Sequence, residues 1–575
     1  MDHIWEKSYP AGLSWSDQLP DAEPLETLLS NAALKWARVP AIDFYDRVLT
    51  FGELHDLARR AAAGLRQLGV TQGSRVGLYL PNTPHYAICF FGALMAGAIV
   101  VNFGPLSGAR ELRYQTEHAA VHIMVTIDMP LFYPAAAALL AEKKLDALVV
   151  CHVDDFLEGA AATKLARVKM QPSAGRQESF ADLIGHGIQV ETPQRGRLED
   201  EVAVLQYTGG TTGMPKGAML THGNFFALLR LSARVGAALY KGMVPTPGIT
   251  PKRLVVMPLS HIGGLGFGVL QQQLSGTQIV LHLAFDAGRV LEEIARKRIT
   301  EFAAVPSMYA ALINHNKFLE TDLSSLQMWG FSGAPMPRGV AQAFHDRVGT
   351  QTHQAYGLTE TTGGTTFQYA SSGSPSTDTI GLPMPLTLID IVDTAGGLTV
   401  LGPGEPGEIC MRGPQVMKGY WNDTAATERA FLGGRFHTGD IGVMDKNGYI
   451  SLLDRKKDMI LVGGFNVYPQ RIEAAIREHP SVEEVAVIGV DHAHFGQIPK
   501  AFVVVRAGAS SLTLVELLDF LGDKLSRYEM PLDMEFRASL PKTAMGKPAK
   551  RVLAEMTTVQ RDTDPAGFAA RAGGA

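Results

Sequence analysis

Along the chain, apolar residues switch between two periods. Leu54, Leu57, Ala58, Ala61, Leu65 and Leu68 recur at helical spacing, and the run from Arg75 to Leu80 that follows ends at Pro81 as a buried strand does. Short apolar runs return at Ile123–Ile127, Leu148–Cys151, Leu254–Met257, Ile279–Leu283 and Phe302–Val305, separated by helical stretches such as Val290–Lys297. This alternation predicts α/β layers built on largely parallel sheets. The longest apolar run, Tyr86–Val101, is too short for a membrane helix and contains Gly92 and Gly97, so it reads as a buried helix leading into a core strand.

From Ile380 to Asp440 the texture changes. Short strand-like pieces, Leu388–Val392 and Glu408–Arg412, are broken by Gly396-Gly397, Gly402-Pro403-Gly404 and Pro406-Gly407, as in a small β unit. Beyond Asp454-Arg455-Lys456-Lys457-Asp458 comes a further pattern: a helix over Arg471–Glu478, strands over Val485–Val490 and Phe502–Val505, and a helix over Leu514–Leu525. These describe a compact α+β domain. The last residues, from about Thr557, are rich in Ala, Gly, Asp and Arg without an apolar period and read as a loose tail.

Composition narrows the class. The 575 residues exceed one ordinary core, and 46% hydrophobic with 19% charged residues excludes a disordered chain. A net charge of −5 offers no global attraction to nucleic acid or an anionic membrane. Cys89, Cys151 and Cys410 lie far apart, which argues against a disulfide framework and for a reducing compartment, read here as the cytoplasm. The opening MDHIWEKSYP, with Asp2 and Glu6 and no apolar stretch after it, does not read as a secretory signal.

The densest chemical signal is Tyr207-Thr-Gly-Gly-Thr-Thr-Gly-Met-Pro-Lys-Gly217, which leaves the apolar run Val202–Leu205. Glycines let backbone N–H groups converge on an anion, threonines add hydroxyl donors, and Lys216 adds charge: the ingredients of a phosphate cradle. It is not the common P-loop, since Lys216 lies between Pro215 and Gly217 rather than before Ser or Thr. Glycine content alone does not separate this cradle from a surface loop.

Taken in order, Thr208–Lys216, Tyr356-Gly-Leu-Thr-Glu-Thr361, His437-Thr-Gly-Asp440, Asp454-Arg-Lys-Lys457 and Pro541-Lys-Thr-Ala-Met-Gly-Lys547 resemble the adenylate-forming acyl-CoA synthetase superfamily, from about Phe51 to Arg551. Gln206–Gly213, Gly413-Pro-Gln-Val-Met-Lys-Gly-Tyr-Trp421 and Gly464-Phe-Asn-Val-Tyr-Pro469 look most like its bacterial medium- to long-chain fatty acyl-CoA synthetases. The resemblance implies an α/β fold: a large N-terminal domain of layered α/β subdomains with a small β-barrel-like subdomain, and a smaller mobile α+β C-terminal domain. Residues 1–453 would bind ATP and the acyl group, 454–457 form the hinge, 458–556 the catalytic lid and 557–575 the tail.

The same resemblance implies site roles. Thr208, Gly209, Gly210, Thr211, Thr212, Gly213 and Lys216 would hold the ATP phosphates, and Thr208 with Glu360 would position Mg²⁺. Tyr356, within Tyr356-Gly357-Leu358-Thr359-Glu360, would stack on adenine opposite Gly333-Ala334-Pro335; Asp440 would accept from the ribose hydroxyls, and Arg455 would reach ribose and phosphates. Lys547 would be the adenylating lysine, Lys457 the hinge, and Gly463, Gly464 and Phe465 the loop approached by coenzyme A. His261, Ser307, Ser332, Gly333 and Gly357 would border the acyl pocket. The expected substrates are a fatty acid, ATP and coenzyme A. Nucleic acid and a transmembrane segment are not expected, while peripheral membrane contact and a homodimer stay open.

Four positions depart from the family pattern. Phe331-Ser332-Gly333-Ala334-Pro335 stands where many members read Ser-Gly-Gly-Ala-Pro, so Phe331 and Ser332 would put larger side chains beside the acyl pocket. Arg471 and Gln497 stand where acids are common, and a cation near a helix start costs a few tenths to about 1 kcal/mol. Alternative chemistries are an aryl- or dicarboxylic-acid ligase, an acyl-AMP ligase serving a carrier protein, and a non-catalytic acyl or nucleotide sensor.

Overall fold

The computed structural model describes residues 3–16, 18–157, 166–169, 175–187, 192–208, 214–239, 251–350, 352–368, 379–462, 465–492, 495–509, 512–522, 524–526, 528–542 and 548–563. The chain divides into two compact units. One comprises Met1–Leu388, Met411–Phe436 and Asn447–Tyr449; the other comprises Ile389–Cys410, His437–Lys446 and Ile450–Ala575.

The first unit is built on two large sheets. One runs, in spatial order, Arg176–Ser179, Ala147–Cys151, Ile123–Ile127, Arg75–Leu78, Ile99–Asn102, Val202–Thr208 and Lys216–Thr221, parallel except for the last pairing. The other is nine-stranded, with the parallel series Gln278–Leu281, Lys252–Val255, Glu301–Ala304, Met328–Ser332 and Thr352–Leu358 at its centre. The alternating α/β pattern therefore reports the architecture correctly. The run Tyr86–Val101 becomes the helix Pro84–Met95, buried at all twelve residues, followed by the strand Ile99–Asn102. Its Gly92 permits close packing: a Cβ there would lie 2.9 Å from the Cβ of Ala61 on the helix Phe51–Gln67. That second helix starts where Thr50 and Glu53 form a reciprocal capping box.

The second unit holds the strand Arg435–Met444 from His437 on and the strand Ile450–Arg455, antiparallel to it. A further sheet pairs Val482–His492 with Gly496–Val505, whose other edge pairs with Ile460–Val462, leading on to Phe465–Val467, and, farther along, in parallel with Asp533–Phe536. The helices Pro469–Arg477 and Leu514–Leu521 cover it through Ile472, Ile476, Leu517 and Leu521. The helix Lys550–Thr563 runs past Thr557, where a loose tail was expected. Leu553 packs into a core with Ala486, Ile488 and Phe502, and the hydroxyl of the buried Thr557, one turn on, donates to the Leu553 carbonyl at 2.8 Å. Among the described residues no helix is long and apolar enough to cross a membrane.

Candidate active site

In the first unit, candidate residues collect at the ends of strands. Thr208 ends the strand Val202–Thr208 and faces Lys216 in the antiparallel register, so the two flank the glycine-rich segment. Residues 209–213 of that segment lie outside the described residues. The ammonium of Lys216 stands 4.9 Å from the centre of the Tyr420 ring, and the Tyr420 hydroxyl donates to Oε1 of Glu360 at 2.9 Å. Burial first, then the Glu360 carboxylate, push the Tyr420 phenol up, so it stays protonated and serves as donor. The Glu360 backbone is also fixed: its carbonyl accepts from the Met417 N–H at 2.7 Å. One side chain thus joins Lys216 to the turn that carries Glu360.

Glu360 lies in the short turn Thr359–Thr361, directly after the strand Thr352–Leu358. Two threonines set that turn. The Leu358 N–H donates to the Thr361 hydroxyl at 2.9 Å, and the Thr362 hydroxyl donates to the Gln415 carbonyl at 2.7 Å. Gly357 is required by contact, since a Cβ there would come within 1.6 Å of the Gly363 carbonyl oxygen. Tyr356, one residue earlier, is half-buried and faces Thr366 across the antiparallel pair. The neighbouring strand Met328–Ser332 aligns Ser332 with Ala355, and Gly333 follows with φ +81°, so the chain turns at the strand end beside Tyr356. Ala334 and Pro335 continue that turn, and Ser307 is exposed in the first turn of the helix Pro306–Ile313. His261 caps a short helical turn, its Nδ1 accepting from the Gly263 N–H at 3.2 Å. The preceding Ser260 carbonyl accepts from the Gln206 amide at 2.8 Å, which ties this segment to the strand carrying Thr208.

The second unit contributes an ion pair. Asp440 and Arg455 are directly opposed in the antiparallel register, with Oδ1 of Asp440 2.6 Å from Nε of Arg455. Asp440 is 2% exposed, and its N–H donates to the Thr438 hydroxyl at 3.0 Å. Next to Arg455, Asp454 is buried and accepts from the Arg455 and Gln470 N–H groups, each at 2.7 Å. Burial pushes the Asp454 carboxyl up to about 6, against the opposing influence of Lys550 and these hydrogen bonds. Burial likewise lowers the Lys457 ammonium. Val462 and Phe465 face each other across the hairpin that brackets Gly463 and Gly464; those glycines and Lys547 lie outside the described residues.

The departures resolve differently. Phe331 is buried on the same face of its strand as Trp329, in one core cluster with Ala304 and Phe344. Strand alternation puts Ser332 on the other face. Arg471 is the third residue of the helix Pro469–Arg477, and its Nε lies 3.1 Å from Oε1 of the buried Glu529, which offsets the cost of a cation in the first turn. The Gln497 amide oxygen accepts from the Leu461 N–H at 3.1 Å, a role an acid would also fill.

Sequence reasoning overlooked Tyr420 and Glu408. Tyr420 lies inside the quoted segment Gly413–Trp421, yet its hydroxyl bond to a residue sixty positions away has no local signal. Glu408 is buried in the strand Gly407–Arg412, where a carboxylate flanked by apolar residues is the available cue.

Two family models match the chain. Residues 29–421 match the AMP-binding enzyme family, and residues 471–547 match the AMP-binding enzyme C-terminal domain. A long-chain-fatty-acid–CoA ligase of Escherichia coli O157:H7 is 36% identical, with 96% of this chain and 98% of that protein covered. A feruloyl-CoA synthase of an Amycolatopsis species is also 36% identical, covering 87% and 92%. Among solved structures, the anthranilate CoA ligase AuaEII in complex with anthranoyl-AMP superposes with a TM-score of 0.81 at 26% identity, covering 96% of this chain and 100% of that one. ATP-bound MatB from Rhodopseudomonas palustris gives 0.80 at 27% identity, covering 92% and 98%.

Proposed function

Since the chain belongs to the AMP-binding enzyme family, we propose that it is an ATP-dependent acid–thiol ligase that joins a medium- or long-chain fatty acid to coenzyme A through an acyl-AMP intermediate. The observation that carries this reading is the match to a long-chain-fatty-acid–CoA ligase over nearly the full length of both chains.

A carboxylate attacking the α-phosphorus of ATP brings two anions together, so the transition state needs fixed cations and aligned donors. In this reading Lys547 sets its ammonium between the attacking carboxylate and the α-phosphate. The bond from α-phosphorus to the bridging oxygen breaks and pyrophosphate leaves. The segment Thr208–Lys216 holds the outer phosphates, Tyr356 stacks on adenine beside Gly333-Ala334-Pro335, and the opposed pair Asp440 and Arg455 takes the ribose. The acyl group lies against His261, Ser307, Ser332, Gly333 and Gly357.

The Thr208 hydroxyl and the Glu360 carboxylate are hard oxygen donors of the kind Mg²⁺ takes, and the Tyr420 bond fixes the direction of the Glu360 carboxylate. Bound there, Mg²⁺ would offset phosphate charge. For the second half-reaction, the C-terminal domain turns about Lys457. The loop Gly463-Gly464-Phe465 then replaces Lys547, and the coenzyme A thiol attacks the acyl carbon with release of AMP.

An aryl acid is the second reading, favoured by the feruloyl-CoA synthase match. Purified protein given ATP, Mg²⁺, coenzyme A and acids from acetate to palmitate, plus ferulate and anthranilate, is expected to form AMP fastest with a medium- or long-chain fatty acid. Fastest turnover with an aryl acid replaces the first reading by the second; no pyrophosphate release with any acid refutes both.

A further inference from the structure

A buried carboxylate with no part in the chemistry above lies beside the Asp440–Arg455 pair. Glu408 is 3% exposed, and both of its oxygens are engaged. Oε1 accepts from the Gly439 N–H at 3.0 Å, and Oε2 lies 2.9 Å from the Lys456 ammonium and 3.2 Å from Nδ1 of His437. Gly439 immediately precedes Asp440, and Lys456 immediately follows Arg455. The two neighbours are also joined directly, the Lys456 N–H donating to the Gly439 carbonyl at 2.8 Å. Gly439 has φ +71°, a left-handed conformation that glycine adopts without a steric cost, and its N–H is thereby turned to Glu408.

Glu408, Cys410 and His437 offer ligand atoms within 4.8 Å of one another. The Lys456 ammonium already occupies the cation position at Oε2, however, and the cluster is better described as an anchor than as a metal site. Burial raises the Glu408 carboxyl, but Lys456 and His437 outweigh it and hold the group below its ordinary range, so it is charged at neutral pH.

We propose that Glu408 is a positioning residue for nucleotide binding, which clamps Gly439 and Lys456 together and thereby fixes the distance and direction of the Asp440 and Arg455 side chains that meet the ribose. The proposal rests on the reading that this pair grips the nucleotide. Glu408→Gln keeps an acceptor for Gly439 but removes the charge that holds Lys456, whereas Glu408→Ala removes both. Buried bonds to a charged partner are the strong ones, and losing one leaves its partner unsatisfied.

The test uses the full chain and measures AMP affinity by calorimetry, KM for ATP, KM for the acid, and thermal melting. AMP binding is expected to weaken about three- to tenfold in Glu408→Gln and about ten- to a hundredfold in Glu408→Ala. KM for ATP should rise in step and KM for the acid should stay within about twofold. Lys456→Met should reproduce the Glu408→Gln loss, and the double variant should lose little more than either alone. The inference is overturned if the wild type binds AMP and the folded variants bind it within about twofold of wild type, whatever happens to melting. If Glu408→Ala does not fold, Glu408→Gln and Lys456→Met decide. A wild-type protein that binds no AMP or ATP refutes the underlying ligase reading, and the clamp with it.

Discussion

The hydroxyl of Tyr420 donates to Oε1 of Glu360 across 2.9 Å while the ring of the same tyrosine lies beneath the ammonium of Lys216, 4.9 Å away. One aromatic side chain thus sets the direction of an acid and the resting place of a cation. Lys216 closes the segment Thr208–Lys216 proposed to hold the ATP phosphates.

Tyr420→Phe keeps the ring but removes the bond to the Glu360 carboxylate. A hydrogen bond to a charged group contributes roughly 1.5–3 kcal/mol, so the Mg²⁺ concentration giving half-maximal adenylation, and KM for ATP, should rise about tenfold or more. KM for coenzyme A should not move. Steady-state titrations of each substrate check this, and unchanged Mg²⁺ and ATP dependence would leave Tyr420 a packing residue.

Gly357→Ala addresses the approach of two strands. The new Cβ would fall 1.6 Å from the Gly363 carbonyl oxygen, so the backbone between Tyr356 and Glu360 must move. The expected cost is on the order of 3 kcal/mol, with a melting temperature several degrees lower and adenylation reduced even where the protein folds. Gly339→Ala, with nothing within 4 Å of the added Cβ, is the matched control and should behave as wild type.

Acid sensitivity follows from buried histidines. His222 is completely buried, accepts the Leu25 N–H at Nδ1, and is pushed down to about 3 by burial and then Arg195. Because its folded value lies below the ordinary 6.5, the unfolded chain takes up a proton that the folded chain refuses. Its stabilising effect is complete above about pH 6.5 and is lost as pH falls toward 3, at up to roughly 1.4 kcal/mol per unit. His282, lowered to about 4 mainly by burial, adds in the same direction. Urea midpoints at pH 7 and pH 5 should show the decline, and His222→Gln should make the difference smaller; an equal difference in the variant would remove His222 as a cause.

The candidate segments were legible because each is short and contiguous with recognisable neighbours: Thr208 ends a strand, Glu360 follows one, and Asp440 lies within one. What could not be read depends on pairing between distant segments. That Asp440 faces Arg455 is a matter of strand register, and that Glu408 anchors both their neighbours depends on a third strand. The burial of Phe331 was hidden for a related reason: in Met328-Trp-Gly-Phe-Ser332 either parity gives a plausible buried face, and membership of the core cluster with Phe344 and Ala304 decides it. The helix beyond Thr557 was obscured by its polar composition, since one buried face through Leu553 and Thr557 suffices to hold it.

The account depends most on Lys547, whose ammonium is assigned to adenylation and to no later step. The decisive measurement compares the two half-reactions in Lys547→Ala: acyl-AMP formation from acid and ATP, and thioester formation from supplied acyl-AMP and coenzyme A. Adenylation is expected to fall by about 10²–10³, with thioester formation retained at a rate close to wild type. An equal loss in both, or full adenylation without the lysine, contradicts it.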